Sequence, residues 1–105
     1  MWIVDLDPPV GHEQGGVRPT VVVSTDMYNN SPAGLLMIVP ITTRDRRVRA
    51  HIRADPPEGG LAKTSFIITD QLRTISRLRL GRRLGLISTA TMTALENQIR
   101  IHAGL

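Results

Sequence analysis

No cysteine occurs anywhere in this chain. Disulfides, thiolate metal sites and thiol nucleophiles are therefore excluded together. Aromatic residues are nearly as scarce, with Trp2, Tyr28 and Phe66 one of each kind, so a core has to be built from Val, Ile, Leu and Met. No apolar run approaches the roughly 20 residues that span a bilayer. The start, Met1-Trp2-Ile3-Val4-Asp5, has neither the basic leader nor the apolar length of a secretory signal. A cytoplasmic protein with no membrane partner is expected. The three histidines, His12, His51 and His102, are scattered without metal-ligand spacing, so no metal and no other cofactor is expected. Lysine is almost missing as well: all but one of the 13 basic residues are arginine, the exception being Lys63.

What remains is ordinary globular material. The 105 residues, 41% of them hydrophobic, are enough for one domain, 1–105, with a modest core. Thirteen basic residues against nine acidic ones give a net charge of +4. Guanidinium groups bind phosphate through paired hydrogen bonds and stack on bases, so an arginine-rich surface suits a nucleic acid. A GC-rich genome or a solvated basic face gives the same composition.

Along the chain, Trp2 to Leu6 reads as a strand stopped by Asp7-Pro8-Pro9. Val10 to Arg18, with Gly11, Gly15 and Gly16, reads as a mobile loop. Thr20 to Ser24 is a β-branched strand, and Asp26 to Gly34, with Asn29-Asn30-Ser31-Pro32, a turn region. Leu35 to Thr42 is the most apolar run and predicts a central strand, with Pro40 arguing for an edge position or a bulge. Val48 to Arg53 alternates Val48, Ala50 and Ile52 with Arg47, Arg49, His51 and Arg53, a pattern of one buried and one basic face. Thr64 to Thr69 and Arg82 to Ile87 predict further strands. Gln71 to Ile75 continues the sheet or bends from it, and a helical turn fits Ser76 to Leu80. Ser88 or Thr89 caps a helix whose Met92, Leu95, Ile99 and Ala103 share one face, and Gly104 suits its C-terminal cap. About six short strands and one C-terminal helix predict a mainly β fold, a small closed or partly closed barrel.

Several segments stand in a recognisable order: Val4-Asp5-Leu6-Asp7-Pro8, Gly11-His12-Glu13-Gln14-Gly15-Gly16-Val17-Arg18-Pro19, Val21-Val22-Val23-Ser24, Tyr28-Asn29, Val39-Pro40-Ile41-Thr42-Thr43 and Asp70-Gln71-Leu72-Arg73-Thr74-Ile75. Their order and spacing resemble the MazF/PemK/Kid growth inhibitors, toxins of type II toxin–antitoxin pairs, over nearly the whole chain. The resemblance implies an SH3-like barrel with a C-terminal helix. It also implies a homodimer that cuts single-stranded RNA at short sequences without a metal. The products would be a 2′,3′-cyclic phosphate and a 5′-hydroxyl.

That reaction needs a base to take the 2′-hydroxyl proton, an acid to protonate the departing oxygen, and fixed positive donors for the phosphorane. By the resemblance Arg18 clamps the phosphorane and Thr42 is the catalytic threonine. Taken alone, the first is an ordinary surface arginine and the second an ordinary strand-end threonine. Glu13 or His12 takes the proton, since some relatives use one position and some the other. Asp70 matches the base of Kid-like relatives, but those carry an arginine two residues earlier where this chain has Ile68. The departure favours the scheme centred on Arg18 and Thr42. Gln14, Gly15, Gly16, Thr43, Arg44 and Gln71 fall at substrate-binding positions. Arg47, Arg49 and Arg53 either guide RNA or form a solvated face. His51 receives no role, and His102 is read as surface or partner-facing.

The resemblance further implies a cognate antitoxin, MazE-like, with an acidic disordered tail, and DNA binding together with it. The family usually carries a few residues before the strand that begins here at Trp2. Two other classes compete. A gyrase poison of the CcdB type shares the fold but depends on an aromatic-containing C-terminus, whereas this chain ends Ile101-His102-Ala103-Gly104-Leu105. A non-catalytic barrel that binds RNA, or only its partner, is the second.

Overall fold

The computed structural model describes residues 1–6 and 15–105. Its organising element is the strand β3, Leu35–Thr42. Leu36 and Ile38 enter one apolar cluster, with Val4, Leu6 and Ile75. Val39 and Ile41 enter a second, with Met1, Val21, Ala54, Leu61, Ile67 and Leu95. Because both faces are covered, β3 shows a continuous apolar run rather than an alternation.

The other strands are β1 Trp2–Asp5, β2 Val17–Val22, β4 Ile52–Ala54, β5 Ser65–Ile67, β6 Arg73–Ser76 and β7 Leu80–Arg83. The described residues form a seven-stranded sheet in the order β4-β5-β3-β2-β1-β7, with β6 also paired to β3. Every pairing is antiparallel. β3 serves two partners along its outer edge: Leu35 to Ile38 pair with β6, and Ile41 and Thr42 with β5. Pro40 lies at the changeover, where its carbonyl accepts from the Ile68 N–H at 2.9 Å. A proline has no N–H to return, and the change of partner at this point absorbs the deficit. The edge position inferred from Pro40 is therefore corrected, since β3 is central.

Three further expectations change. Val17 and Arg18 are already strand, not loop. Asp26–Asn29 form a short helix, α1, capped by Thr25, whose side chain accepts from the Tyr28 N–H. The alternating segment from Val48 is strand only at Ile52–Ala54. Val48 is 44% exposed, Arg47 has a left-handed φ of 56°, and the chain turns at residues 49 and 50. The helical turn at Arg77–Arg79 is present, with Ser76 capping it. Its arginines tie loops together: Arg77 Nη1 donates to the Asn29 carbonyl at 2.8 Å and Arg79 Nη1 to the Asp5 carbonyl at 3.3 Å.

Helix α2, Thr89–Ala103, starts where the Ser88 hydroxyl accepts from the Thr91 N–H and ends at Gly104 with φ 72°. Leu95 is fully buried against the sheet, flanked by Met92 and Ile99. Ala103, placed on the same stripe by its spacing, is exposed, because the apolar face has run past the sheet. No helix among the described residues is long and apolar enough to cross a membrane.

Truncating Leu95 removes the helix's central contact, so Leu95→Ala should lower stability by about 2–5 kcal/mol. Ala103→Ser should stay within about 0.5 kcal/mol of wild type. Urea unfolding followed by far-UV circular dichroism distinguishes the two.

Candidate functional site

Ladder register decides which side chains share a face. β2 and β3 pair Thr20 with Pro40, Val21 with Val39 and Val22 with Ile38. The ladder itself ends at Thr20 and Pro40; extended by two residues, the same register would bring Arg18 across from Thr42. Facing residues of an antiparallel pair project to the same side, with Cβ atoms about 4.5–5.5 Å apart. The side in question is that of Val22 and Ile38, which enter the cluster around Leu6. Arg18 and Thr42 thus stand at the rim of that core, where the apolar filling ends.

Arg18 is half-buried, lies across from Val4 of β1, and donates from Nε to the Gly15 carbonyl. One of its five N–H donors is occupied there, and the bond orients the guanidinium plane. Among the described residues no carboxylate forms an ion pair with it. Gly16 takes a φ of 77° and its carbonyl accepts from the Leu6 N–H at 2.9 Å, a closure that a side chain would strain. Thr42 is 7% exposed, and its Oγ1 accepts from the Arg44 N–H at 3.2 Å. A hydroxyl that accepts in this way retains its own proton to donate. Thr43 and Arg44 follow, both exposed. His12, Glu13 and Gln14 lie outside the described residues.

Asp70 is held elsewhere. It sits in the turn between β5 and β6, with Oδ1 3.6 Å from His51 Nε2; the side-chain exposures are 57% for Asp70 and 5% for His51. Among the described residues, His51 Nδ1 is buried without a hydrogen-bond partner. Beside them Thr69 Oγ1 donates to the Ala50 carbonyl at 2.9 Å and lies 3.1 Å from His102 Nε2. Gln71 is half-buried, its N–H bonded to the Ile68 carbonyl at 3.0 Å. The contacts among the described residues thus join Arg18 to Gly15 and Arg44 to Thr42, and pair Asp70 with His51.

Sequence reasoning assigned no role to His51 and missed its burial, because period-two reading put it on the basic outward face. It also passed over Phe66. The ladders pair Thr42 with Phe66 and Phe66 with Arg53, so the row containing Arg18 and Thr42 extends across β5 and β4. Arg73, opposite Ile38, adds a further guanidinium to the same side. Arg53 is fixed by Asp55, at 3.0 Å between Nε and Oδ1, and Asp55 also accepts from the Thr64 hydroxyl at 2.7 Å. No group of three or more His, Asp or Glu side chains at metal-binding range occurs among the described residues.

The Thr64 hydroxyl and then Arg53 hold the Asp55 carboxyl below its ordinary value of 3.8. A carboxylate depressed in the folded state contributes stability above its unfolded pKa and loses it as pH falls through the folded one. Carbon-detected NMR titration should therefore give an Asp55 midpoint below 3.8, moved upward in Thr64→Val.

Comparison with known proteins adds the family. A family model described as PemK-like, MazF-like toxin of type II toxin–antitoxin system matches residues 1–103. The endoribonuclease MazF of Staphylococcus epidermidis is 31% identical over an alignment covering all of this chain and 88% of that protein. Crystalline MazF of Deinococcus radiodurans superposes with a TM-score of 0.87 at 25% identity, covering 99% of this chain and 92% of the other. A mycobacterial endoribonuclease solved with its cognate antitoxin gives 0.78 at 23% identity, covering 99% and 90%.

Proposed function

The chain belongs to the PemK-like, MazF-like toxins of type II toxin–antitoxin systems, and on that premise we propose that it is an endoribonuclease that cuts single-stranded RNA by transesterification. The observation that carries the reading is the antiparallel pairing of β2 with β3, whose register, extended two residues past Thr20 and Pro40, turns Arg18 and Thr42 to the same side at the rim of a packed core. The RNA 2′-hydroxyl attacks the adjacent phosphorus, its proton passes to a base, and the 5′-oxygen leaves with a proton from an acid. A 2′,3′-cyclic phosphate and a 5′-hydroxyl result. The phosphorane gains negative charge, which the Arg18 guanidinium neutralises, while the Thr42 hydroxyl donates to a phosphate oxygen. Acid and base come from side chains, with no metal step. Glu13 or His12 is the base of this scheme. The ion pair of Asp70 with His51 and the Ile68 that stands two residues before it support a secondary place for Asp70.

Gly15, Gly16, Gln14, Thr43, Arg44 and Gln71 are proposed to contact the strand on either side of the cut. Substrate is held through phosphates, to which arginine offers paired donors. The surplus of positive charge also supports a cognate antitoxin whose acidic tail orders over this face, and the family membership supports action as a homodimer.

Arg18→Ala should lower cleavage of a labelled single-stranded RNA by at least about a hundredfold with an unchanged thermal midpoint, the scale of one lost transition-state donor. A folded variant cutting at the wild-type rate would remove Arg18 from the mechanism. Replacing the nucleotide at the cut with its 2′-deoxy analogue should abolish the reaction, and mass spectrometry of the wild-type product should show the cyclic phosphate. Inhibition of gyrase with RNA left intact would instead favour the CcdB-type activity.

A further inference from the structure

We propose that Phe66, flanked by Arg53, is a stacking platform for one base of the RNA next to the scissile phosphate; the inference rests on the ribonuclease reading above. The ladder evidence is direct. Phe66 faces Thr42 across the β5–β3 pair and Arg53 across the β5–β4 pair. Its neighbours Ser65 and Ile67 are buried on the opposite face, the one carrying Ile41 and Ala54. Phe66 itself is half-buried and belongs to neither apolar cluster of the described residues. The chain's single phenylalanine is thus spared from the core and held on the side that carries Thr42.

Successive strands lie about 4.8 Å apart, so the row Arg53, Phe66, Thr42, Arg18 extends across about 14 Å. That length accommodates a phosphate and its adjoining nucleotides. The order of the row suits such a ligand: guanidinium and hydroxyl for the phosphate, then a ring, then a second guanidinium. An aromatic face stacks on any base, and an adjacent arginine adds a cation–π contact. Arg53 is anchored for this by Asp55, which Thr64 holds in turn. Two expected alternatives fit less well. A ring placed only to fill the core would join a cluster, and an arginine placed only for solubility would not be tied down beside the ring.

The platform predicts a dependence on one base that the phosphate clamp does not. A random-sequence single-stranded RNA pool first identifies a 20-nucleotide stretch that wild type cuts, and a version with the cut nucleotide 2′-deoxy serves as an uncleavable probe. Phe66→Leu, which keeps apolar bulk, should bind that probe about tenfold more weakly than wild type, while Phe66→Tyr should bind as wild type does. Thermal melting checks that each variant is folded. In a scan of abasic probes, a single position next to the cut should weaken wild type and leave Phe66→Leu no weaker, because the ring and its base form one contact. Equal binding of every probe by wild type and Phe66→Leu would overturn the platform while leaving the Arg18 mechanism standing. A wild type that neither binds nor cuts the pool would overturn the ribonuclease reading and the platform with it.

Discussion

One constraint governs the molecule: β3 must be buried on both of its faces at once. Leu36 and Ile38 are covered by residues of β1 and β6 and by Leu6, while Val39 and Ile41 are covered by α2 and by residues of β4 and β5. A strand in that position cannot tolerate polar side chains along its length. The first position where a hydroxyl is admitted is the last residue, Thr42. Packing of the core therefore decides where polar chemistry begins, and it begins on a strand that neighbours hold from both sides.

Rigidity at this point has an electrostatic counterpart. The arginines of the chain fall into distinct uses. Arg77 and Arg79 close loops by donating to carbonyls. Arg53 is paired with an exposed carboxylate. Arg18 is oriented by the Gly15 carbonyl, and among the described residues no carboxylate forms an ion pair with it. A carbonyl fixes the direction of the group without neutralising it, so the positive charge remains available to a phosphate. A lysine would supply charge on a freely rotating ammonium, without the rigid planar fork that one bond can orient while the other donors stay aimed.

Much of this was legible in the residues. The limits of β3, the caps of α2 at Ser88 and Gly104, and the 3-10 turn after Ser76 follow from local rules, because burial, orphan backbone groups and left-handed φ are satisfied within a few residues. Arg18 and Thr42 were singled out by their resemblance to a family, and the β2–β3 register, extended past its last pair Thr20 and Pro40, turns both to one side of the sheet. Less visible was anything that depended on which strand pairs with which. Val48 to Arg53 has the alternation of a strand, yet its first half turns in the open, and His51 ends buried beside Asp70. Pro40 argued for an edge, because a sequence does not say that a central strand changes partner at the residue lacking an N–H. Phe66 escaped notice for the same reason: its value comes from two neighbours on other strands.

The lateral row from β4 to β2 ties shape to chemistry in a further way. Displacing β5 by one residue against β3 would carry Phe66 into the interior and turn Ile67 outward, since alternate side chains exchange sides in a single step. The same slip would crowd the space between Ile41 and Ile52 with a ring. A misaligned chain would thus lose its interior and the outward placement of the ring in the same step, so the register of β5 against β3 decides both.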